Sequence, residues 1–338
     1  APGNTAPGNT APGNTAPGNT APGHDIRGNT APGNTAPGNT APGNTAPGHD
    51  IRGNTVVLWA DSFTDGLSPE IPEAIVRVLE DAGLRVLVTA GDACCGVTWI
   101  STGQLDGAKK RLGHLLEVLG PFAVNGIPII GVEPSCTAVL RGDLTELLPD
   151  DPRAHAVAAA TFTLAEILTG RAPVKPRDGW QVPSLADVTA VVQPHCHQYS
   201  VMGFTADRDL LARAGATVTE ASGCCGLAGN WGYEKGHYDV SRQIAENSLL
   251  PALREAGLAP ADAGVPGADA GAGLAPADAG VRAVDAGEGS TDFGVRGADA
   301  PDGVVYLADG VSCRTQADAF VGVEGLHLAQ VLAARLER

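Results

Sequence analysis

Apolar runs typical of strands alternate with apolar stripes typical of helices from residue 56 onward. Strands are predicted at the short apolar runs 56–59, 84–88 and 127–132. Between them, apolar residues recur at helical spacing from Ile71 to Gly83 and again over about 105–119. Strands that alternate with helices indicate parallel βαβ units, so the pattern predicts an α/β fold.

The same order of elements recurs downstream. Strands are predicted at 187–192, 216–218 and 304–308, with helices over 206–214 and about 237–256. We therefore expect two duplicated, Rossmann-like βαβ halves, 56–170 and 171–338. In each half, the cysteines stand just beyond the carboxyl ends of predicted strands.

Two segments lack the large apolar side chains that a core needs. Residues 1–55 are eleven pentapeptides built on Ala-Pro-Gly-Asn-Thr, and 257–303 is a tract rich in Ala, Gly, Pro and Asp. Burial cannot offset the entropy of ordering such sequences. We expect a disordered N-terminal repeat and a flexible insertion that interrupts the second half.

The spacing of the seven cysteines supports a duplication. Cys224 follows Cys94 by 130 positions and Cys313 follows Cys136 by 177, and the difference of 47 nearly equals the length of the insertion. The second half then has four cysteines, Cys196, Cys224, Cys225 and Cys313. The first half has Cys94, Cys95 and Cys136, and an alignment of the first strands puts Asp61 opposite Cys196. One site is predicted to be complete and the other degenerate.

Four cysteines in strand-end loops favour a metal site, because such loops gather at one edge of a parallel sheet. We predict a [4Fe–4S] cluster on the four second-half cysteines, since adjacent cysteines can serve two irons of one cluster. His195, His197 and Gly226 are expected to surround these ligands. Zinc is an alternative, although the Cys-x-x-Cys pairs of its usual sites are absent. Unligated structural cysteines are another, and in the first half a lost cluster is a third.

Charge and hydropathy exclude several classes of protein. The formal net charge of −16 argues against nucleic-acid binding. No apolar run is long enough to span a bilayer, and no secretory signal is visible. The odd number of cysteines argues against a disulfide framework. We expect a cytoplasmic protein, with peripheral attachment at the inner face of the membrane as an option.

Five motifs around the cysteines resemble a known family. They are 91–96 (Gly-Asp-Ala-Cys-Cys-Gly), 133–140 (Glu-Pro-Ser-Cys-Thr-Ala-Val-Leu), 195–198 (His-Cys-His-Gln), 223–229 (Gly-Cys-Cys-Gly-Leu-Ala-Gly) and 312–316 (Ser-Cys-Arg-Thr-Gln). They are similar to the cysteine-rich CCG domain pair of the glycolate oxidase iron–sulfur subunit, which also occurs in subunits of anaerobic glycerol-3-phosphate dehydrogenase and of heterodisulfide reductase. With the segment 58–65, the chain most resembles the C-terminal part of FAD-linked D-lactate or glycolate dehydrogenases.

The resemblance implies an electron-transfer module of a FAD-linked 2-hydroxy-acid oxidoreductase, without substrate turnover of its own. The FAD would lie on a partner subunit or a missing domain, and a quinone or similar acceptor would receive the electrons indirectly. A second cluster in the first half is an option. Two alternatives stay open: a cluster-dependent thiol–disulfide reductase, and a non-functional fragment or structural zinc domain.

Overall fold

The computed structural model describes residues 53–89, 93–260 and 303–336. The predicted disordered repeat therefore lies outside the described residues up to residue 52, and so does the predicted insertion from 261 to 302. All the described residues belong to one compact unit.

Within the described residues, the first sheet has four parallel strands. They are β1 Thr55–Trp59, β2 Arg85–Val88, β3 Ile129–Gly131 and β4 Thr161–Phe162. Their order across the sheet is β2-β1-β3-β4. Val57 of β1 pairs with Leu87 on one side and with Ile129 on the other. Every residue of β1 is buried, as expected for an apolar strand covered on both faces.

In the described ranges, the second sheet has three parallel strands. They are β5 Thr189–Val192, β6 Thr217–Glu220 and β7 Val304–Leu307. Their order is β6-β5-β7, so the first strand lies between the second and the third, as in the first sheet. The predicted α/β class with parallel sheets is confirmed. That one half is a duplicate of the other stays a prediction.

Helices connect the strands and cover the sheets. Those of the first half are α1 Ser62–Leu67, α2 Glu70–Asp81, α3 Val97–Ser101, α4 Leu105–Val124, α5 Pro134–Arg141, α6 Asp143–Leu147, α7 Pro152–Ala160 and α8 Leu164–Leu168. Those of the second half are α9 Thr205–Ala214, α10 Tyr238–Glu246, α11 Leu249–Glu255, α12 Val311–Val321 and α13 Leu328–Ala333. A π-helical turn covers Gln198–Met202 and a 3₁₀ turn covers Trp231–Tyr233. Across the described residues, no helix combines the length and apolar character that a membrane crossing requires.

The single long helix predicted over 237–256 is wrong, because α10 and α11 are separate helices. Pro251 explains the break. Its nitrogen carries no hydrogen and cannot donate to the carbonyl of Asn247, so a continuous helix would lose a bond and clash there. In the first turn of α11 this missing donor costs nothing.

The two sheets share one core, and each also covers a separate outer core. Val56 and Leu58 of β1 join Ala190 and Val192 of β5 in the shared core. Alternate residues face the other way, since successive side chains of a strand point to opposite faces. Cys95 and Cys136 belong to the outer core of the first sheet, and Cys225 and Cys313 to that of the second.

Two predicted boundaries move by a few residues. Thr55 already belongs to β1, so the folded region begins inside the last pentapeptide. At the other boundary, Leu258 and Ala259 are each only 6% exposed and pack in the outer core of the second sheet. The start of the predicted insertion is therefore part of the core.

Candidate metal centre

The four second-half cysteines lie just beyond the carboxyl ends of the three strands of the second sheet. Cys196 follows β5, the pair Cys224 and Cys225 follows β6, and Cys313 lies in the first turn of α12 after β7. Cys196 is exposed, Cys224 half-buried, and Cys225 and Cys313 are buried. The parallel sheet therefore brings residues from three loops to one edge.

The four thiols lie close enough to shift one another's pKa, in the order Cys196, Cys224, Cys225 and Cys313. The Cys196 thiol lowers the pKa of Cys224 far below its ordinary value, with help from Cys225 and the Gly226 N–H. Cys224 and Cys313 raise the pKa of Cys225, and Cys224 raises that of Cys196. The four sulfurs thus lie along one edge of the sheet, with the anionic form favoured at Cys224.

Gly226 acts on Cys224 through its backbone. Its N–H donates to the Cys224 sulfur, with 3.3 Å between the atoms. Its φ of +97° is a left-handed conformation that favours glycine, and a Cβ there would overlap the backbone carbonyl oxygen of Ser241. The missing side chain therefore lets this loop pack against α10.

Two buried side chains hold the loops that carry the cysteines. Gln193 Nε2 donates to the carbonyl oxygen of Gly223, the residue before Cys224, over 2.9 Å. Tyr306 donates its hydroxyl hydrogen to the carbonyl oxygen of Cys313 over 3.1 Å. Both bonds connect a strand or its end to a cysteine loop, so the sheet determines where the sulfurs lie.

The two histidines beside Cys196 are in different environments. His195 is 4% exposed and His197 is exposed. Nδ1 of His195 accepts the backbone N–H of His197 over 3.2 Å, so its hydrogen is on Nε2. Burial lowers the pKa of His195 to about 4 and keeps the ring neutral. Donor atoms of His195, Cys196 and His197 all lie within 4.8 Å of one another.

The three first-half cysteines also meet. The Sγ atoms of Cys95 and Cys136 are 3.1 Å apart and buried, and Cys94 lines the same cavity as both of them. The bond from Cys95 lowers the pKa of Cys136, but burial and the carboxylates of Asp61 and Glu133 outweigh it and raise this pKa to about 12. The first half therefore has a thiol cluster of its own.

A cavity of about 260 Å³ opens beside the first-half thiols. All three cysteines line it, together with Ser62, Phe63, Trp99 and Arg111. The guanidinium carbon of Arg111 lies 4.7 Å from the centre of the Trp99 ring. Sequence reasoning missed Trp99 and Arg111, because they come together only when α3 packs on α4.

Asp61, the residue aligned with Cys196 from the sequence, has other partners. It is buried, and its Oδ1 accepts the N–H groups of Phe63 and Thr64 at the start of α1. Its Oδ2 accepts the N–H of Glu133 over 3.1 Å. Burial and the charge of Glu133 raise the pKa of Asp61. The structure puts Ser62, one position later, beside Cys94.

The second-half residues suit a cysteine-ligated iron–sulfur cluster. Four sulfur donors from three loops match the usual protein ligands of a [4Fe–4S] cluster. Backbone N–H groups near the sulfurs, such as that of Gly226, favour an anionic group. Nδ1 of His195 already accepts a backbone hydrogen bond, which leaves the sulfur atoms as the main ligand atoms for a metal.

Comparisons with known proteins agree with the resemblance predicted from the motifs. Residues 60–141 match the family model CCG, described as a cysteine-rich domain. The matched segment contains Cys94, Cys95 and Cys136. The predicted resemblance to the CCG cysteine-rich domain of iron–sulfur subunits is therefore confirmed.

Relatives of the chain include proteins of two kinds. One subunit of the anaerobic glycerol-3-phosphate dehydrogenase of Escherichia coli (strain K12) is 28% identical over 210 residues, which are 60% of this chain and 50% of that protein. Lactate utilization protein A of Exiguobacterium sp. is 28% identical over 203 residues, 57% of this chain and 79% of that protein. Lactate utilization protein A of Bacillus thuringiensis (strain Al Hakam) is 24% identical over 208 residues, 59% and 82%. The chain thus spans about half the length of the first of these relatives.

Proposed function

We propose that this chain is the iron–sulfur electron-transfer module of a FAD-linked oxidoreductase that oxidises a 2-hydroxy acid of the D-lactate or glycolate type. The meeting of Cys196, Cys224, Cys225 and Cys313 at one sheet edge carries the proposal. Relatives named as part of a dehydrogenase and as lactate utilization proteins support it.

The four cysteines hold a [4Fe–4S] cluster, which when bound supplies one-electron transfer. The protein around them keeps the site in place without proton chemistry. His195 is buried and neutral, and its Nε2–H is a hydrogen-bond donor in the environment of Cys224. Gly226 directs its N–H at the Cys224 sulfur, which stabilises negative charge there.

The electron donor is a flavin dehydrogenase subunit or domain that carries the FAD. Because Cys196 and His197 are exposed while Cys225 and Cys313 are buried, the partner approaches from the Cys196 side. Electrons leave indirectly to a quinone or similar acceptor. We place such a module in the cytoplasm, with peripheral attachment at the inner face of the membrane as an option. Its formal charge of −16 argues against nucleic-acid binding.

Anaerobic reconstitution of the full chain tests the cluster. We expect iron and acid-labile sulfide, little zinc, and an EPR signal on reduction with dithionite. Cys224→Ser and Cys225→Ser should remove the signal of the second-half site, whereas Ser222→Ala, an exposed position in the same loop, should leave it unchanged. Zinc without sulfide would contradict the electron-transfer role and indicate a structural metal domain.

A second measurement tests the electron-transfer role. The reconstituted chain is mixed with a flavin-containing D-lactate or glycolate dehydrogenase and the matching 2-hydroxy acid under anaerobic conditions. Reduction of the cluster only when all three are present supports the proposal. Turnover of a disulfide by the chain alone would instead favour a thiol–disulfide reductase.

A further inference from the structure

Three structural observations indicate that Ser62 in the first half corresponds to Cys196 in the second half. The first is the strand register. Trp59 pairs with Gly131, five positions before Cys136. In the second sheet Val192 pairs with Leu307, so one step further Gln193 lies opposite Ala308, five positions before Cys313. Trp59 therefore corresponds to Gln193, and counting three residues onward from each matches Ser62 with Cys196.

The second observation is a shared hydrogen bond. The Trp59 indole donates to the carbonyl oxygen of Ala93 over 2.9 Å, and Gln193 Nε2 donates to that of Gly223 over 2.9 Å. Ala93 and Gly223 are the residues directly before the two cysteine pairs. Two different side chains, those of Trp59 and Gln193, thus donate to equivalent carbonyl groups in the two halves. This is expected if Trp59 and Gln193 are equivalent residues.

The third observation concerns the residues in between. Asp61 and His195 are both buried, and each accepts the backbone N–H two positions later, from Phe63 and His197 respectively. The next residues, Ser62 and Cys196, are both exposed. Ser62 also lines one cavity with Cys94, the first cysteine of the nearby pair.

We propose that the first half holds a second iron–sulfur cluster on Cys94, Cys95 and Cys136, with the Ser62 hydroxyl in place of the fourth thiol. One iron then has no protein thiolate. This inference rests on the proposed function for the type of cluster, and it assigns a different site. The cavity of about 260 Å³ beside the three sulfurs gives an inorganic core room, which a packed remnant of a lost site would not provide.

The walls of this cavity suit an anionic group. The Arg111 guanidinium is held over the Trp99 ring and lines the cavity, and the Gly96 N–H donates to the Cys94 sulfur over 3.4 Å. A Cβ at Gly107 would contact the Trp99 ring at 2.6 Å, so a glycine in α4 lets Trp99 lie flat against that helix. One guanidinium and one N–H therefore lie near the place where the sulfurs would carry negative charge, and they oppose the nearby carboxylates of Asp61 and Glu133.

The missing thiolate makes a chemical prediction. An iron without a sulfur ligand from the protein is the one most easily lost on oxidation. One-electron oxidation by ferricyanide would convert [4Fe–4S]²⁺ into [3Fe–4S]⁺, one Fe²⁺ ion and one electron, which reduces ferricyanide to ferrocyanide. The four-iron form is silent in EPR and the three-iron form is not, so the two sites respond differently to the same oxidant.

The experiment uses three sets of reconstituted full-length chains. The first is the parent chain and Ser62→Cys, which supplies the fourth thiol. The second is Ser184→Cys, which adds a thiol at a position in the connection before β5, away from the first-half cysteines. The third set has two chains. One combines Cys225→Ser and Cys313→Ser, which leaves only the first-half site, and the other carries Cys136→Ser, which impairs the first-half site. Each chain is analysed for iron and sulfide and by EPR before and after ferricyanide.

We expect the parent chain and Ser184→Cys to give the three-iron signal and to release about one iron per chain, and Ser62→Cys to abolish both effects. The Cys225→Ser, Cys313→Ser chain should keep the signal, and circular dichroism checks that it is folded. An oxidised signal that is the same in the parent and Ser62→Cys chains, or no iron beyond the second-half site, would overturn the inference. If the Cys225→Ser, Cys313→Ser chain binds iron and the Cys136→Ser chain binds none, the first-half cluster is supported and the proposed second-half cluster is contradicted.

Discussion

The Glu133 carboxylate accepts the backbone N–H of Val311, with 2.9 Å between Oε2 and N, although the two residues are 178 positions apart. Glu133 directly precedes α5, which carries Cys136, and Val311 is the first residue of α12, which carries Cys313. The N–H of Glu133 in turn donates to Asp61. One buried side chain therefore connects the cysteine helices of the two halves.

We expect Glu133→Gln to lower the free energy of unfolding by about 1–3 kcal/mol. Both backbone partners of the carboxylate, the N–H groups of Val311 and Ser135, are donors. An amide would turn its NH₂ group towards one of them, and a buried donor would lose its acceptor. Burial raises the pKa of Glu133, as it does for Asp207, but Asp207 Oδ2 has no hydrogen-bond partner among the described residues, so only at Glu133 does the lost hydrogen bond outweigh the relief of a buried charge. Urea denaturation of the two chains measures the difference.

Glu117→Gln is the matched control, because the Glu117 side chain is 71% exposed. It should change the free energy of unfolding by less than about 0.5 kcal/mol. Equal effects of the two substitutions would mean that the contact between Glu133 and α12 contributes nothing measurable.

Much of the fold could be predicted because its elements have local signals. Most strands lie in predicted apolar runs, and the stripe from Ile71 to Leu79 is the buried face of α2. The exceptions are β4, which no run predicts, and β6, in which Val218 is the one apolar residue. The break between α10 and α11 has only a weak local signal, Pro251, which a search for periodicity passes over. Contacts such as that of Glu133 with Val311 leave no pattern in the sequence, since they depend on how the halves pack.

The candidate site shows the same division. The cysteines can be picked out as candidate ligands from the sequence because their spacing repeats. In the structure, the second-half cysteines lie at one edge of the second sheet. The alignment of Asp61 with Cys196 used apolar runs alone, and a run of apolar residues leaves a slip of one position open. The strand register and the hydrogen bonds of Trp59 and Gln193 support our inference of an alignment one position later.

Asp207→Asn should stabilise the protein at neutral and alkaline pH. Asp207 is 3% exposed, its Oδ1 accepts the Gln198 amide, and its Oδ2 has no hydrogen-bond partner among the described residues. Burial, with the charges of Asp309 and Glu166, raises the pKa of Asp207 well above its ordinary value. The neutral asparagine avoids the buried charge, so we expect a gain of about 1–3 kcal/mol at about pH 8.

The sign of the pH dependence follows from the raised pKa. The folded chain holds the Asp207 proton more tightly than the unfolded chain, so the resulting stability is fully present below the unfolded pKa and is lost as the pH rises through the folded one. The advantage of Asp207→Asn should therefore grow with pH and vanish in acid. Urea denaturation across this range measures it, with Asp178→Asn at a fully exposed carboxylate as the control. An advantage independent of pH would contradict this explanation.

Gly310→Ala should disturb the turn that carries Cys196. A Cβ at Gly310 would overlap the imidazole ring of His195, which is buried next to that cysteine. Displacing the ring should lower the free energy of unfolding by about 1–3 kcal/mol and reduce the iron bound after reconstitution. Gly113→Ala in α4 is the control, because a Cβ there meets no atom within 4 Å, and it should be neutral or slightly stabilising. Unchanged stability and iron content in Gly310→Ala would show that the ring has room to move.

Leu258→Ala tests whether the core extends past the end of α11 into the segment predicted to be an insertion. Leu258 is 6% exposed and packs in the same outer core as Cys225 and Cys313, so removing its side chain leaves a cavity there. We expect the free energy of unfolding, measured by urea denaturation, to fall by about 2–4 kcal/mol. Leu67→Ala, at a side chain that is 65% exposed, should cost less than about 1 kcal/mol. If the two substitutions cost the same, Leu258 belongs with the low-complexity tract that follows it, and the core ends at α11.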